Sequence, residues 1–408
     1  MTPTLDAVVH GASEVFVGPS GDGSGAETIA DGAVAIADGR VVAVGPTDEV
    51  TREYPPEAAV AAVDASGGTV LPGFVDRHTH ALFAGDRSDE FAAKLRGATY
   101  ADILAQGGGI LRTVRAVREA SDEALLRGLL DRLDTVLATG TTTLEVKSGY
   151  GLDRETERRM LAVLAAADAR HPVDVVPTFM GAHAVPEGRD AAAYVDEVVD
   201  EQLPAVAEQG VAEFCDVFCE EGVFSVEQSR RVLEAGAAHG LTPKVHAEEL
   251  THLGGAELAA ELSAASADHL LHATDTDAER LAEAETAAVL LPGTAFSLGA
   301  EYADPERFRE AGATVAVASD FNPNCYAPAM PFAVTLACVG MRMTPDEAVL
   351  AATHGGAHAL DREDRGTLHE GSLGDCLVLD ALSHAHVPYR FGDTPVAAVL
   401  KEGVVVRD

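Results

Sequence analysis

In the segment VDRHTH, His78 and His80 stand two residues apart directly after a short apolar run. On an extended chain that spacing puts both imidazoles on one face, from which they can reach a single cation. PKVHAEE places His246 at the end of a second apolar run, with Glu249 three residues later, and VAVASDFN places Asp320 at the end of a third. Three imidazoles and one carboxylate meeting at strand ends form a ligand set for Zn2+ or iron that leaves one position for solvent. Each piece alone has a blander reading: an HxH pair is common, a strand-end histidine is often satisfied within the core, and an aspartate after a strand can cap a helix. Their joint occurrence at strand ends carries the metal-site reading. His183 in MGAHAVP and His269 in SADHLLHA fall at strand ends as well and are candidates. His272 reads as a packing residue, and the other histidines as surface or structural.

The elements that would position these residues alternate. From about residue 74 to 360 the chain repeats strand, loop and helix: TTTLEV before DRETERRMLAVLAAADAR, EFCDVFCEE before SVEQSRRVLEAGAAHG, PKVHAEE before GGAELAAELSAA. Seven or eight such units predict an α/β fold, a closed (β/α)8 TIM-like barrel over residues 71–360, with an open doubly wound sheet as the alternative. No glycine-rich first turn supports the open sheet, because Gly107, Gly108 and Gly109 fall within a loop, where they read as a mobile active-site segment. The first 70 residues and residues 361–408 are valine-rich and broken by glycine turns. They predict a small β-sandwich built from both termini, with the polar stretch GPSGDGSGAE as a flexible loop.

Composition narrows the function. The chain has 408 residues with 66 acidic and 29 basic side chains, for a net charge of −37. That balance excludes nucleic acid and an anionic membrane surface as partners, since both need clustered cations. With 47% hydrophobic residues the chain can bury a large core, so the acidity marks adaptation to high salt rather than disorder. No Lys or Arg precedes Arg40 and no apolar run approaches about 18 residues, so the expectation is a cytoplasmic protein without a membrane span. Cys215 and Cys219 read as strand thiols rather than half a zinc site, having no second pair nearby.

The motifs VLPGFVDRHTH, FAGDRSDEF, GGGILRTVRA, TTTLEVKSGYGL, FMGAHAVP, DVFCEEGVFS, HAEEL and SDFNP resemble, in this order, the metal-dependent amidohydrolase superfamily, in its branch that opens the imidazolone ring in histidine degradation. The resemblance covers about residues 70 to 355 and agrees with the paired terminal sandwich. It implies that His78, His80, His246 and Asp320 hold one Zn2+ or Fe3+ per chain. It further implies that Arg87, Tyr150 and His183 contact a small-molecule substrate, with Arg87 on its propionate. Glu249 would be the proton-transfer residue, also touching substrate, and His269 its catalytic neighbour; Asn322 would touch substrate or product. Lys147 reads as structural or substrate-facing rather than as a bridge between two metals, and a homodimer is expected from the family. After SDFNP the family pattern has Gly then Ser or Thr, whereas Asn324 and Cys325 stand here. Either Asn324 takes up the left-handed backbone that Asn tolerates, or the substrate differs slightly. The implied reaction is hydrolysis of the cyclic amide of 4-imidazolone-5-propanoate. The alternatives are a one-metal amidohydrolase or deaminase acting on another nitrogen heterocycle, and a barrel that binds metal without catalysis.

Overall fold

A computed structural model describes residues 5–21, 25–99, 102–103 and 106–408; residues 22–24 of the expected flexible loop lie outside the described residues. The amino-terminal strands are β1 (Leu5–Pro19), β2 (Ala26–Ala37), β3 (Arg40–Pro46), β4 (Ala61–Asp64) and β5 (Thr69–Pro72). The central strands follow: β6 (Phe74–Asp76), β7 (Thr141–Lys147), β8 (Asp174–Ala182), β9 (Phe214–Cys219), β10 (Thr242–Ala247), β11 (Ser266–His269), β12 (Ala287–Leu290) and β13 (Val315–Val317). The chain ends in β14 (Cys376–Leu379), β15 (Val396–Lys401) and β16 (Val404–Arg407).

Both termini share one mixed sheet in the order β16-β15-β14-β5-β1-β2-β3, with β4 paired to β1. β14 meets β5 antiparallel with Val378 opposite Val70, so the two ends of the chain are joined by backbone hydrogen bonds, in agreement with the expected sandwich. Val9, Val34, Ile36, Val70 and Leu400 form its apolar core.

β6 to β13 form the second sheet in sequence order, and every neighbouring pair is parallel. Helices follow the strands where the sequence has start signals. Ser225 and Thr274 cap Val226–Ala238 and Asp275–Glu283 with reciprocal capping boxes. Proline sets two element boundaries. AAVLLPGTAF is a strand only to Leu290, because Pro292 starts the helix Pro292–Leu298. The helical stretch from Ala191 to Gln209 is divided by a wide turn at Val198–Gln202, just before Pro204, which has no N–H to donate.

The barrel closes beyond the ends of its first and last strands. Ser319 donates its backbone N–H to Asp76 at 3.0 Å, Asp320 N–H reaches the carbonyl of His78 at 3.1 Å, and His80 N–H reaches that of Phe321 at 2.9 Å. The closing seam therefore runs through three of the four expected metal ligands.

A second join connects the terminal sheet to the barrel helices. His384 bridges Glu14 of β1 and Asp346 of the helix Pro345–Ala352, 2.8 Å from each. Burial opposes its charge, but the two carboxylates win and raise its pKa above 6.5. The bridge therefore stabilises the fold fully below about pH 6.5 and loses that contribution as pH rises through the folded value. Replacing His384 with Ala is expected to cost about 1.5–3 kcal/mol at pH 6, shrinking toward pH 9, in thermal melts at constant salt.

Candidate active site

The four expected ligands come together. His78 and His80 follow β6 on the closing seam, His246 lies on β10, and Asp320 follows β13. Nε2 of His246 is 3.4 Å from Nε2 of His80, and Oδ1 of Asp320 is 3.7 Å from Nε2 of His78 and 3.8 Å from Nε2 of His80. All four side chains are buried. Thr294 donates its hydroxyl to Oδ2 of Asp320, which leaves Oδ1 turned toward the imidazoles.

Protonation decides what this cluster can hold. Nδ1 of His78 lies 2.6 Å from Asp268 and Nδ1 of His246 lies 3.0 Å from Asp216. Burial would raise both aspartates, but Arg77 and Lys147 around Asp268, and His246 and Lys147 around Asp216, hold them well below the usual carboxylate range. An ionised carboxylate can only accept, so each Nδ1 carries a hydrogen and each Nε2 is the nitrogen left facing the cluster. Burial, reinforced by neighbouring cations and imidazoles, lowers His78 and His80 far below 6.5, so both stay neutral. Nε2 of His78 is buried with no hydrogen-bond partner among the described residues. Imidazole lone pairs gathered around a carboxylate oxygen repel unless a cation lies among them, and this donor set fits a metal ion.

The remaining candidates surround this cluster. His269 ends β11 and packs its ring 5.3 Å from that of His78 and 5.2 Å from that of His246; its Nε2 is 3.7 Å from Oε2 of Glu249. Burial, with the charges of Asp320 and Glu220 adding to it, pushes Glu249 up to about 8. His183 stacks on His80 at 4.7 Å and directs Nδ1 at the carbonyl of Gly149, 3.0 Å away. A side chain at Gly149 would collide with His183, so the close approach needs glycine there. Tyr150 is buried 5.3 Å from the His183 ring, and burial raises its phenol above its ordinary value. Arg87 is paired with Glu90 through Nε and NH2, both at 2.9 Å. Asp320 (φ +49°), Glu248 (φ +54°) and His269 (φ +81°) hold left-handed backbone at this rim, at about 1–3 kcal/mol each.

Three expected substrate contacts are engaged elsewhere. Asn322 donates Nδ2 to Asp320 and accepts at Oδ1 from the backbone N–H groups of Asn324 (2.7 Å) and Cys325 (3.0 Å). Asn324 does not enter the left-handed region, so neither its backbone nor that of Cys325 stands in for the missing glycine by that route. Cys325 buries its thiol 3.9 Å from the carbonyl of Ser319. Cys215 and Cys219 are buried free thiols on β9. His272 is exposed rather than packed.

Several residues beneath and beside the site were not foreseen as functional. Arg77, Glu145, Lys147, Asp216, Lys244 and Asp268 are wholly buried and form one ionic network. Lys147 reaches Asp216 at 2.7 Å and Glu145 at 3.0 Å, Lys244 reaches Glu145 at 2.7 Å, and Arg77 reaches Asp268 at 2.5 Å. Lys147 is therefore structural, as one of its two readings had it. The signal was available: charges of both signs recur at period two inside apolar strands, as in Glu145/Lys147 and Lys244/His246. Two further carboxylates shape the loops. Glu157 accepts from the backbone N–H groups of Gly149, Gly151 and Leu152, and Glu220 accepts from Leu250 N–H and the Thr251 hydroxyl beside Glu249.

A parallel eight-stranded barrel bearing this cluster on its rim defines a metal-dependent hydrolase of the amidohydrolase type. Residues 69–406 match the model of the Amidohydrolase family, and residues 32–56 match that of the imidazolonepropionase-like composite domain of bacteria. An imidazolonepropionase of Haloarcula marismortui is 69% identical over 99% of this chain and 96% of its own length. One of Halobacterium salinarum is 64% identical over 98% of each chain, and one of Symbiobacterium thermophilum is 52% identical over 99% of this chain and 98% of its own. Among solved structures, the zinc complex of an atrazine chlorohydrolase from Arthrobacter aurescens has a TM-score of 0.74 at 17% identity, covering 98% of this chain and 95% of that one. The chain belongs to the imidazolonepropionases of the amidohydrolase family, hydrolases of C–N bonds in cyclic amides.

Two substitutions test the network. Replacing Asp268 with Asn releases the tautomer of His78 and is expected to weaken metal binding about 10–100-fold, measured by competition with a chelator. Replacing Lys147 with Met strands Asp216 and Glu145 as buried charges and is expected to cost about 3–5 kcal/mol in denaturant melts.

Proposed function

We propose that the chain hydrolyses the ring amide of 4-imidazolone-5-propanoate to N-formimidoyl-L-glutamate in histidine degradation, using one Zn2+ or iron ion held by His78, His80, His246 and Asp320. The reading rests above all on the convergence of those four side chains next to a carboxyl tuned toward neutrality. When bound, the ion would polarise the ring carbonyl and acidify the attacking water.

The chain's own residues account for the rest. Glu249, at about 8, is suited both to taking a proton from water and to returning it to the departing ring nitrogen. His269 is neutral, lowered by burial and then by His246, and supports Glu249 from 3.7 Å. His183 is lowered by burial to about 3, and its Nδ1–H is directed to Gly149. Its Nε2 is therefore an acceptor, suited to a ring N–H rather than to negative charge developing on oxygen. That charge falls to Tyr150, which keeps its phenolic hydrogen across the working pH range. Arg87 binds the propionate: Glu90 engages Nε and one terminal nitrogen, which leaves the other for a second carboxylate. Glu90 also accepts the N–H of Gly109 at 3.1 Å, tying the proposed Gly107–Gly109 lid to the same arginine. We assign the enzyme to the cytoplasm of a salt-adapted host, as a homodimer. No helix among the described residues is long and apolar enough to cross a membrane.

The direct test is loss of imidazolone absorbance and appearance of N-formimidoyl-L-glutamate when purified protein meets the substrate in high salt. Chelator should abolish turnover and added metal should restore it. Released ammonia in place of the open-chain product, with activity that survives Arg87→Ala, would instead identify a deaminase. Glu249→Gln is expected to keep its metal content while kcat falls about 10²–10⁴-fold.

A further inference from the structure

Helix Ser88–Leu95 starts directly after Arg87 and carries Lys94 in its last turn, seven residues on. Arg87 stands just before the first turn, and the two cations are near enough for the charge of Arg87 to be felt at Lys94. Lys94 is half-buried, and its ammonium donates to Oδ1 of Asn324, 2.6 Å away on the loop after the last barrel strand. The N–H of Asn324 reaches Asn322 Oδ1 at 2.7 Å, and Nδ2 of Asn322 reaches Asp320 at 2.9 Å. Three hydrogen bonds thus lead from this ammonium to the carboxylate at the centre of the site.

Its company is unusual. The chain has four lysines. Lys147, Lys244 and Lys401 each contact a carboxylate within 3.0 Å, whereas Lys94 has no carboxylate in ion-pair contact among the described residues. Burial and then the like charge of Arg87 lower its pKa, against the opposing charge of Glu90. Glu90 is engaged by Arg87 at 2.9 Å and approached by Arg112 at 3.6 Å, so among the described residues Lys94 has no carboxylate of its own in a chain of net charge −37. A neutral amide oxygen is a weak partner for a half-desolvated ammonium, and a carboxylate is the strong one. Meanwhile the backbone N–H groups of Asn324 and Cys325 are both taken by Asn322.

We infer that Lys94, aimed by Asn324, is a second cation for the carboxylate tail of the substrate. With Arg87 it selects heterocycles bearing an anionic chain over neutral ones. This rests on the proposed function, since it deepens the reading of the same site. The Asn324 that departs from the family pattern is, on this account, the residue that holds the ammonium in place.

The test compares holoenzyme variants in high salt. Lys94→Gln keeps a donor for Asn324 and removes the charge, while Lys94→Arg keeps both. Lys94→Gln should raise KM for 4-imidazolone-5-propanoate about 10- to 100-fold, with kcat within about twofold, wild-type metal content and unchanged inhibition by a ring analogue without the side chain. Lys94→Arg should restore most of the affinity. A wild-type KM in Lys94→Gln, or equal weakening toward the uncharged analogue, overturns the inference while the proposed function stands. Absence of turnover by the wild-type enzyme overturns both.

Discussion

Asp216 and Asp268 each grip the far nitrogen of one histidine, and the rest of the site depends on that grip. A free imidazole divides its hydrogen between two nitrogens and rotates about its side-chain bonds. A buried anion on Nδ1 ends both freedoms and leaves Nε2 facing the cluster. The anions in turn need cations, since a lone buried charge would take up a proton or unfold the site. Arg77, Lys147 and Lys244 meet that need, with Glu145 as the third carboxylate that balances them. Desolvating each ion costs several kcal/mol, so the network repays its burial only as a complete set. Ions fill the layer directly beneath the site, and Lys244 lies over the ring of Phe214, in the apolar cluster with Val75 and Val176.

The same economy governs charge across the molecule. Arginine supplies the exposed cations, as in the pairs Arg231–Asp196 and Arg112–Asp89, while lysine is kept almost wholly inside. Exposed pairs contribute little and are screened at high salt. Buried pairs are shielded from solvent ions and keep their strength. A chain of net charge −37 can therefore tolerate a dispersed acidic surface and still hold its interior by Coulomb attraction.

Much of the fold was legible because each strand carries an apolar run and several helices open on a capping residue. Ser225, Thr274 and Asp153 mark helix starts in the sequence and cap them in the fold. The failures were local and steric. Pro292 and Pro204 set element boundaries that apolar patterning alone could not place, and His272 lies exposed where its apolar neighbours suggested packing. Glu157 and Glu220 escaped notice because a carboxylate that binds backbone N–H groups leaves no periodic signature.

The sequence by itself determined which elements form and which side chains stand at their carboxyl ends, because the pleat and the helical turn are short-range repeats written in residue order. It therefore named His78, His80, His246 and Asp320 as a set. Tertiary structure alone decided the protonation and aim of those groups. It also set the neutral acceptor role of His183, the withdrawal of Asn322, Asn324 and Cys325 into a hydrogen-bonded turn, and the meeting of Lys94 with that turn. These depend on burial and on distances between atoms remote in the chain, such as Lys94 and Asn324, 230 residues apart and 2.6 Å from contact atom to contact atom. Electrostatic energy follows that separation in space and is blind to separation in sequence.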